Sequence, residues 1–269
     1  RGKFFTTDHQ LSSSFVTQVY LDNEGFIWTT TRNGINRYDG YQFRVFKKEN
    51  EHDSSLASNY VNSMMQDRNG LFYFGMYSAL QTWDGTKFHN VTMYDKNGNA
   101  GHSYPNCFLE RANGDVLVGT SGLGILKFKD QKTAYQEKGP LATIHTVNSM
   151  IEDRTGTLWI VTEHMGLISY NGKTVKRHMQ NLPSVVFSCL CEGADGIIYA
   201  GSTNCGVFRM QGDTFVHIAE TGTKAVSSLY RAHDGNIVIG YDGQGIALYN
   251  PRKPELIDNP FFSLEVNLP

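Results

Sequence analysis

Six glycines recur at nearly even intervals, Gly25, Gly70, Gly114, Gly156, Gly196 and Gly235, separated by 45, 44, 42, 40 and 39 residues. Other positions keep phase with them. Three residues before each glycine stand Asp22, Asp67, Arg111, Asp153, Gly193 and Ala232; three after stand Trp28, Tyr73, Leu117, Trp159, Tyr199 and Val238. A third run opens at Ile35, Leu80, Ile125, Leu167, Val207 and Ile246 and closes at Tyr38, Trp83, Phe128, Tyr170, Met210 and Tyr249. Tight-turn pairs follow in Asp39-Gly40, Asp84-Gly85, Asn171-Gly172 and Gln211-Gly212. Asn, Asp and Gly tolerate the positive φ that such turns demand.

Each copy therefore reads as short strands joined by tight turns, and a period of about 40 residues belongs to four-stranded propeller blades. The second run is continuously apolar, as in Leu158-Trp159-Ile160-Val161, which predicts a strand covered on both faces. Trp28 and Trp159 hold a fixed place in the repeat and read as inter-blade core, not as a ligand platform. The expected fold is an all-β propeller of four-stranded blades forming one domain over 1–269, with repeats near 11–55, 56–99, 100–141, 142–181, 182–220 and 221–262. Lys47–Asn59, Tyr94–Pro105 and Asp130–Thr146 read as polar surface connections, and Asp95-Lys-Asn-Gly-Asn as an Asx turn in preference to a calcium loop.

Leu11, Leu56 and Leu182 each lie fourteen residues before their glycine, and Asn181-Leu182-Pro183 recurs as Asn267-Leu268-Pro269. Leu268 thus announces a seventh repeat. Lys3–Thr7 aligns with Thr174–His178, where an outer strand belongs, so the array is expected to be part of a seven-bladed propeller with Phe4 and Phe5 poorly anchored. Cys107 and Cys189 share the slot seven before the glycine with Gln18, Ser63, Ser149 and Ser228, and read as small fillers on the inner strand. Lys and Arg total 24 against 26 Asp and Glu, with no basic stripe for nucleic acid. No run approaches the roughly 18 apolar residues of a membrane span, so neither nucleic-acid binding nor membrane insertion is expected of this segment.

The pattern Asp-x-x-Gly-x-(Leu/Ile)-Trp-x-x-Thr, then Gly-(Leu/Ile)-x-x-Tyr-(Asp/Asn)-Gly, resembles the two-component-regulator propeller repeat, best in Asp22–Gly40 and Asp153–Gly172. The resemblance covers Phe4 to Tyr249. Copies three, five and six depart from it at Arg111, Gly193 and Ala232 and at Leu117, Tyr199 and Val238. It implies the periplasmic sensor region of an inner-membrane hybrid histidine kinase, partnered by the other domains of the sensor chain and by a possible second copy, and answering to oligosaccharides. No kinase or receiver motif is present, so phosphotransfer is expected outside this segment and no catalytic residue, metal or cofactor within it.

The face bearing the turns between second and third strands supplies the candidate ligand-binding residues Arg32, Asn33, Tyr77, Glu163, His164, Asn204, Asp242 and Gln244, a mixture suited to a hydroxyl-rich ligand. Two alternatives compete. A streptogramin-lyase-like propeller enzyme would need a metal and a base, for which Glu163-His164 is the acid–His pair at a turn tip. A protein-interaction scaffold would use the same face. Sialidase Asp-boxes space Asp and Gly by two, whereas Asp22–Gly25, Asp67–Gly70 and Asp153–Gly156 are spaced by three.

Overall fold

The computed structural model describes residues 5–49, 55–179, 182 and 184–258. They form six antiparallel blades, each with four sequential strands from inner to outer. Blade 1 comprises Val16–Leu21, Ile27–Thr31, Gly34–Tyr38 and Phe43–Phe46; blade 2, Val61–Gln66, Phe72–Met76, Ala79–Trp83 and Phe88–Asn90; blade 3, Tyr104–Glu110, Val116–Ser121, Ile125–Asp130 and Thr133–Gln136. Blade 4 comprises Val147–Glu152, Leu158–Thr162, Gly166–Tyr170 and Val175–Arg177; blade 5, Phe187–Glu192, Ile198–Ser202, Val207–Gln211 and Thr214–His217; blade 6, Val226–Arg231, Ile237–Tyr241, Ile246–Asn250 and Glu255–Asp258. Two compact units divide the chain between Val147 and Asn148.

Two of the polar connections hold more structure than their composition announces. Thr92–Tyr94 and Ala100–Gly101 form a hairpin that widens blade 3 to six strands, with Thr92–Tyr94 running parallel to Thr133–Gln136. Its turn is the expected Asx turn: Asp95 Oδ1 accepts from the amides of Asn97 and Asn99 at 2.9 and 2.8 Å. The stretch 130–146 contains the outer strand of blade 3 and a 3₁₀ turn at Gly139–Thr143.

The repeat's Asp organises the turn and the core together. Asp22 Oδ1 accepts from the amides of Glu24 and Phe26, while Oδ2 accepts from Trp28 Nε1 at 2.6 Å. Asp67 does the same with Tyr73 Oη at 3.0 Å, and Asp153 with Trp159 Nε1 at 2.8 Å. A buried indole N–H needs an acceptor, and an unsatisfied one costs about 1–3 kcal/mol. In blade 5, where Gly193 holds the Asp position, the carboxylate comes from Asp195 instead and accepts from Tyr199 Oη at 2.9 Å. Leu117 and Val238 have no polar atom to satisfy, and their blades carry Arg111 and Ala232.

The tryptophans lie in the core, as their phase predicts. Trp28 is buried among Phe72, Phe74 and Trp83 of blade 2. Trp159 is buried against His178 and Phe215. In the unit containing blades 4 to 6, Phe187, Ile198 and Phe208 continue that cluster, and Tyr199, Ile237 and Tyr249 form the next. Neighbouring inner strands approach closely where the repeat places glycine. A Cβ on Gly201 would lie 2.6 Å from both Cys189 Sγ and Val226 Cγ1. That crowding explains the small-residue slot at Cys189, whose thiol pKa burial pushes up to about 12. None of the four cysteines is in a disulfide.

The inner strand carries a second recurring device. In the five blades whose inner pairing is described, the register shifts at one place, leaving Thr17, Asn62, Asn106, Ser188 and Ser227 unpaired. A bulged residue re-aims its side chain. Thr17 Oγ1 donates to Val61 O, Asn62 Nδ2 to Pro105 O, Asn106 Nδ2 to Val147 O and Ser188 Oγ to Val226 O. Each bond ties one inner strand to the next. Arginine clamps act at the Asp-turn end of the inner strands, with Arg68 on Glu110 and Arg154 on Glu192.

The N-terminal expectation needs correction. Of the expected outer strand Lys3–Thr7, Phe5 and Thr6 belong to no strand and Thr7 opens the 3₁₀ turn Thr7–His9, which Thr6 caps by accepting from the Asp8 amide. Phe5 is anchored, with its ring 4.9 Å from Tyr38 and 5.1 Å from Phe43. Phe46 contacts the corresponding Trp83 and Phe88 of blade 2 in the same way. Phe5 thus stands on blade 1 as an outer-strand residue of a preceding blade would. Lys3, Phe4 and the Leu268 repeat lie outside the described residues. Val19, Leu21 and Ile27 of blade 1 are exposed, as are Tyr230 and Ile257 of blade 6.

Candidate functional site

At the end of blades 1, 2, 3, 5 and 6 away from the Asp turn, the residue ten before the glycine meets the residue seven after it. Arg32 N donates to Phe15 O at 3.3 Å and Tyr77 N to Tyr60 O at 3.1 Å. Tyr104 pairs with Ser121 across the sheet. In blades 1 to 3 these tips build a continuous aromatic rim. The Arg32 guanidinium lies 3.6 Å from the centre of the Phe15 ring and 5.5 Å from that of Tyr60. Tyr60 stacks on Tyr77 at 6.5 Å and 14°. Tyr77 meets Tyr104 edge-on at 4.8 Å.

Large aromatic rings normally hide, yet Phe15, Tyr77 and Tyr104 are 50%, 56% and 39% exposed. A hollow of about 360 Å³ opens beside them, lined by Tyr60, Asn62, Met76, Tyr77, Tyr104, Pro105, Asn106 and Ser121. None of these carries a formal charge at neutral pH. Hydrogen bonding between the Tyr77 and Tyr104 hydroxyls raises the pKa of Tyr77 above the ordinary tyrosine value. Asn62 and Asn106 reach the hollow because they are bulge residues. Their Nδ2 groups are committed to Pro105 O, and to Ser121 Oγ and Val147 O, respectively. Aromatic faces beside amide acceptors are the equipment for a ligand with apolar faces and hydroxyl edges.

The eight candidates from the sequence divide. Arg32 and Tyr77 meet in this rim. Asn33 belongs to its own blade, with Nδ2 donating to Ser12 O at 3.0 Å. Asn204 likewise braces a loop, its Oδ1 accepting from Val186 N and its Nδ2 donating to Ser184 O. Glu163 and His164 sit exposed at the blade 4 tip, 3.9 Å apart, and Asp242 and Gln244 are exposed at the blade 6 tip. Among the described residues no group of three or more His, Cys, Asp and Glu side chains is arranged to hold a metal.

Phe15, Tyr60, Tyr104, Asn62 and Asn106 were not among the candidates. The sequence held a signal for the first three. The position ten before the glycine is aromatic in copies one to three and Thr146, Val186 or Ala225 in copies four to six.

A second hollow, of about 230 Å³, lies between the outer parts of blades 4 and 5 and is lined by Lys176, His178, Asp213 and Phe215 among others. Lys176 and Asp213 form an ion pair at 2.7 Å. His178 is buried, bonded through Nε2 to Ser169 Oγ at 2.8 Å, and burial lowers its pKa. These groups are engaged in packing.

Residues 55–78, which begin just before blade 2, match the family model described as the two component regulator propeller. A curated histidine kinase of Formosa agariphila is 34% identical over 55 residues, 20% of this chain and 4% of that protein. The extracellular domain of a hybrid two component system of B. thetaiotaomicron superposes with a TM-score of 0.79 at 19% identity, over 95% of this chain and 36% of that one. Virginiamycin B lyase from Staphylococcus aureus superposes with a TM-score of 0.68 at 11% identity, over 92% and 84%. The chain thus spans about a third of the sensor structure's length. At such identities the likenesses speak for fold, and the fold is a β-propeller. Residues 55–78 match the two component regulator propeller repeat, and the turn and core positions of that stretch recur in phase along the other blades. Among the described residues no helix is long and apolar enough to cross a membrane.

Proposed function

We propose that this chain is the ligand-sensing, extracytoplasmic module of a hybrid two-component signal-transduction protein, and that its ligand is an oligosaccharide bound along the rim of blades 1 to 3. The module itself is not catalytic; the phosphotransfer chemistry belongs to other domains of an inner-membrane histidine kinase whose sensor faces the periplasm. The repeat family and the similarity to an extracellular sensor domain support the role. The observation that carries the ligand class is the aromatic run Tyr60, Tyr77 and Tyr104, with Tyr77 and Tyr104 exposed, beside the Asn62 and Asn106 side chains. Sugar rings present C–H faces to aromatic rings and hydroxyls to amides.

A glycan array probed with the 269-residue chain tests this reading. Retention of oligosaccharides that is lost in Tyr77→Ala is the expected result. Failure to retain any glycan argues for the scaffold alternative. Metal-dependent turnover abolished by His164→Ala would overturn the reading in favour of the lyase alternative.

A further inference from the structure

We propose that the rim selects an acidic sugar, its carboxylate or sulfate held by Arg32 and the adjoining sugar ring lying against Tyr77 and Tyr104. This rests on the oligosaccharide reading and adds the charge of the ligand.

Arg32 is held by stacking, as Arg37 and Arg44 of the same blade are on Phe26 and Phe46, but it lies at the rim beside Tyr60. Its guanidinium lies over the Phe15 ring and faces Tyr60. Stacking fixes the plane of the group while leaving its N–H fork, which points along that plane, free to bond. Among the described residues no carboxylate pairs with it and no carbonyl accepts from its side chain. A fork fixed in advance loses little rotamer freedom when it binds an anion, and it matches a planar carboxylate or a sulfate edge with two parallel bonds.

The surroundings suit the same ligand. The hollow beyond Tyr60 has no acidic group in its lining, so nothing there repels an anion or neutralises Arg32. The corresponding tip positions of blades 4 and 6 are Glu163 and Asp242. A free inorganic anion would use Arg32 and leave the exposed tyrosines and the two amide oxygens without purpose. A neutral sugar would use the tyrosines and leave the cation without purpose. An acidic glycan uses both.

The array experiment extends to this point with uronic-acid oligomers, their methyl esters, sulfated galactans and neutral galactans. The expected result is retention of uronate or sulfated glycans by the wild-type chain at least about tenfold more tightly than their neutral counterparts, with the preference shrinking as salt rises. Arg32→Gln should abolish the preference without abolishing neutral binding. Arg32→Lys should keep part of it, because charge remains and the fork is lost. Tyr77→Ala should weaken acidic and neutral glycans alike. Retention of uronates alone or of sulfated glycans alone identifies the anion. Methyl esters held as tightly as acids, or a preference that survives Arg32→Gln, would overturn the proposal and leave the oligosaccharide reading standing. If no glycan is retained, both fall.

Discussion

The two ends of the same strands obey different rules. At the Asp turn, the copies agree wherever burial demands it: Asp22 with Trp28, Asp67 with Tyr73, Asp153 with Trp159, and Asp195 standing in for Tyr199 when Gly193 has replaced the usual carboxylate. At the opposite tips the copies diverge, from Phe15 with Arg32 and Tyr60 with Tyr77 to Thr146 with Glu163 and Ala225 with Asp242. What repeats at the turn is a donor–acceptor pair, with its location free to shift. What fails to repeat at the tips has no shared structural duty, and so is free to serve recognition.

The largest expected effect sharpens this contrast within one blade. Trp159→Ala removes a buried indole packed on His178 and Phe215 and should cost about 3–5 kcal/mol. Glu163→Ala, four residues on but at the exposed tip, should stay within about 0.5 kcal/mol. Equal denaturation midpoints for the two variants would break the comparison.

The pairing rule predicts an effect of intermediate size. Asp153→Ala strands Trp159 Nε1 and two backbone amides and should cost about 1–3 kcal/mol. The reciprocal change Ala232→Asp should gain little, since Val238 offers no donor. An acid titration gives the same test another readout. Burial raises the Asp153 pKa, but bonds from Thr155, Trp159 and the backbone outweigh it and hold the carboxyl below its ordinary value. A carboxylate with a depressed folded-state pKa contributes stability above its unfolded pKa of about 4, and that contribution is lost as pH falls through the folded value. Chemical denaturation of Asp153→Asn should therefore show a shallower loss of stability below about pH 4 than the wild type. Matching acid slopes would deny Asp153 its role.

Smallest is the clamp between blades 4 and 5. Arg154 bonds Glu192 at 2.6 Å and Gly193 O at 3.0 Å, yet its side chain is about half exposed. Arg154→Ala should cost no more than about 1 kcal/mol. A loss approaching that of Trp159→Ala would mean that the turns hold neighbouring blades together more than the aromatic core does.

Much of the fold was legible because the repeat writes its constraints six times. Phase exposed the strands, the turns and the buried place of Trp28 and Trp159. Where one copy stands alone, the reading fails. The hairpin in 92–101 is made of short polar pieces, and Thr7–His9 is a single turn, so neither carries periodicity. The Asp and the aromatic were each visible as decaying positions, but their bond joins a turn residue to one on the strand that follows, and its relocation to Asp195 hides it from alignment. The site was less legible still. Arg32, Tyr60, Tyr77 and Tyr104 become neighbours only through blade packing, and Asn62 enters the hollow only because a bulge turns it there. Six similar blades also draw attention to what is common to them, whereas this site resides in what three of them do not share with the rest.

The central claim is that one end of the blades holds the fold and the other reads a ligand. It is tested most directly by replacing Tyr60, Tyr77 and Tyr104 together with Ala and following thermal unfolding and glycan retention on the same protein. The account predicts a melting temperature within about 4 °C of wild type with glycan retention lost. A melting temperature that collapses as it does in Trp159→Ala, or retention that survives, would contradict it.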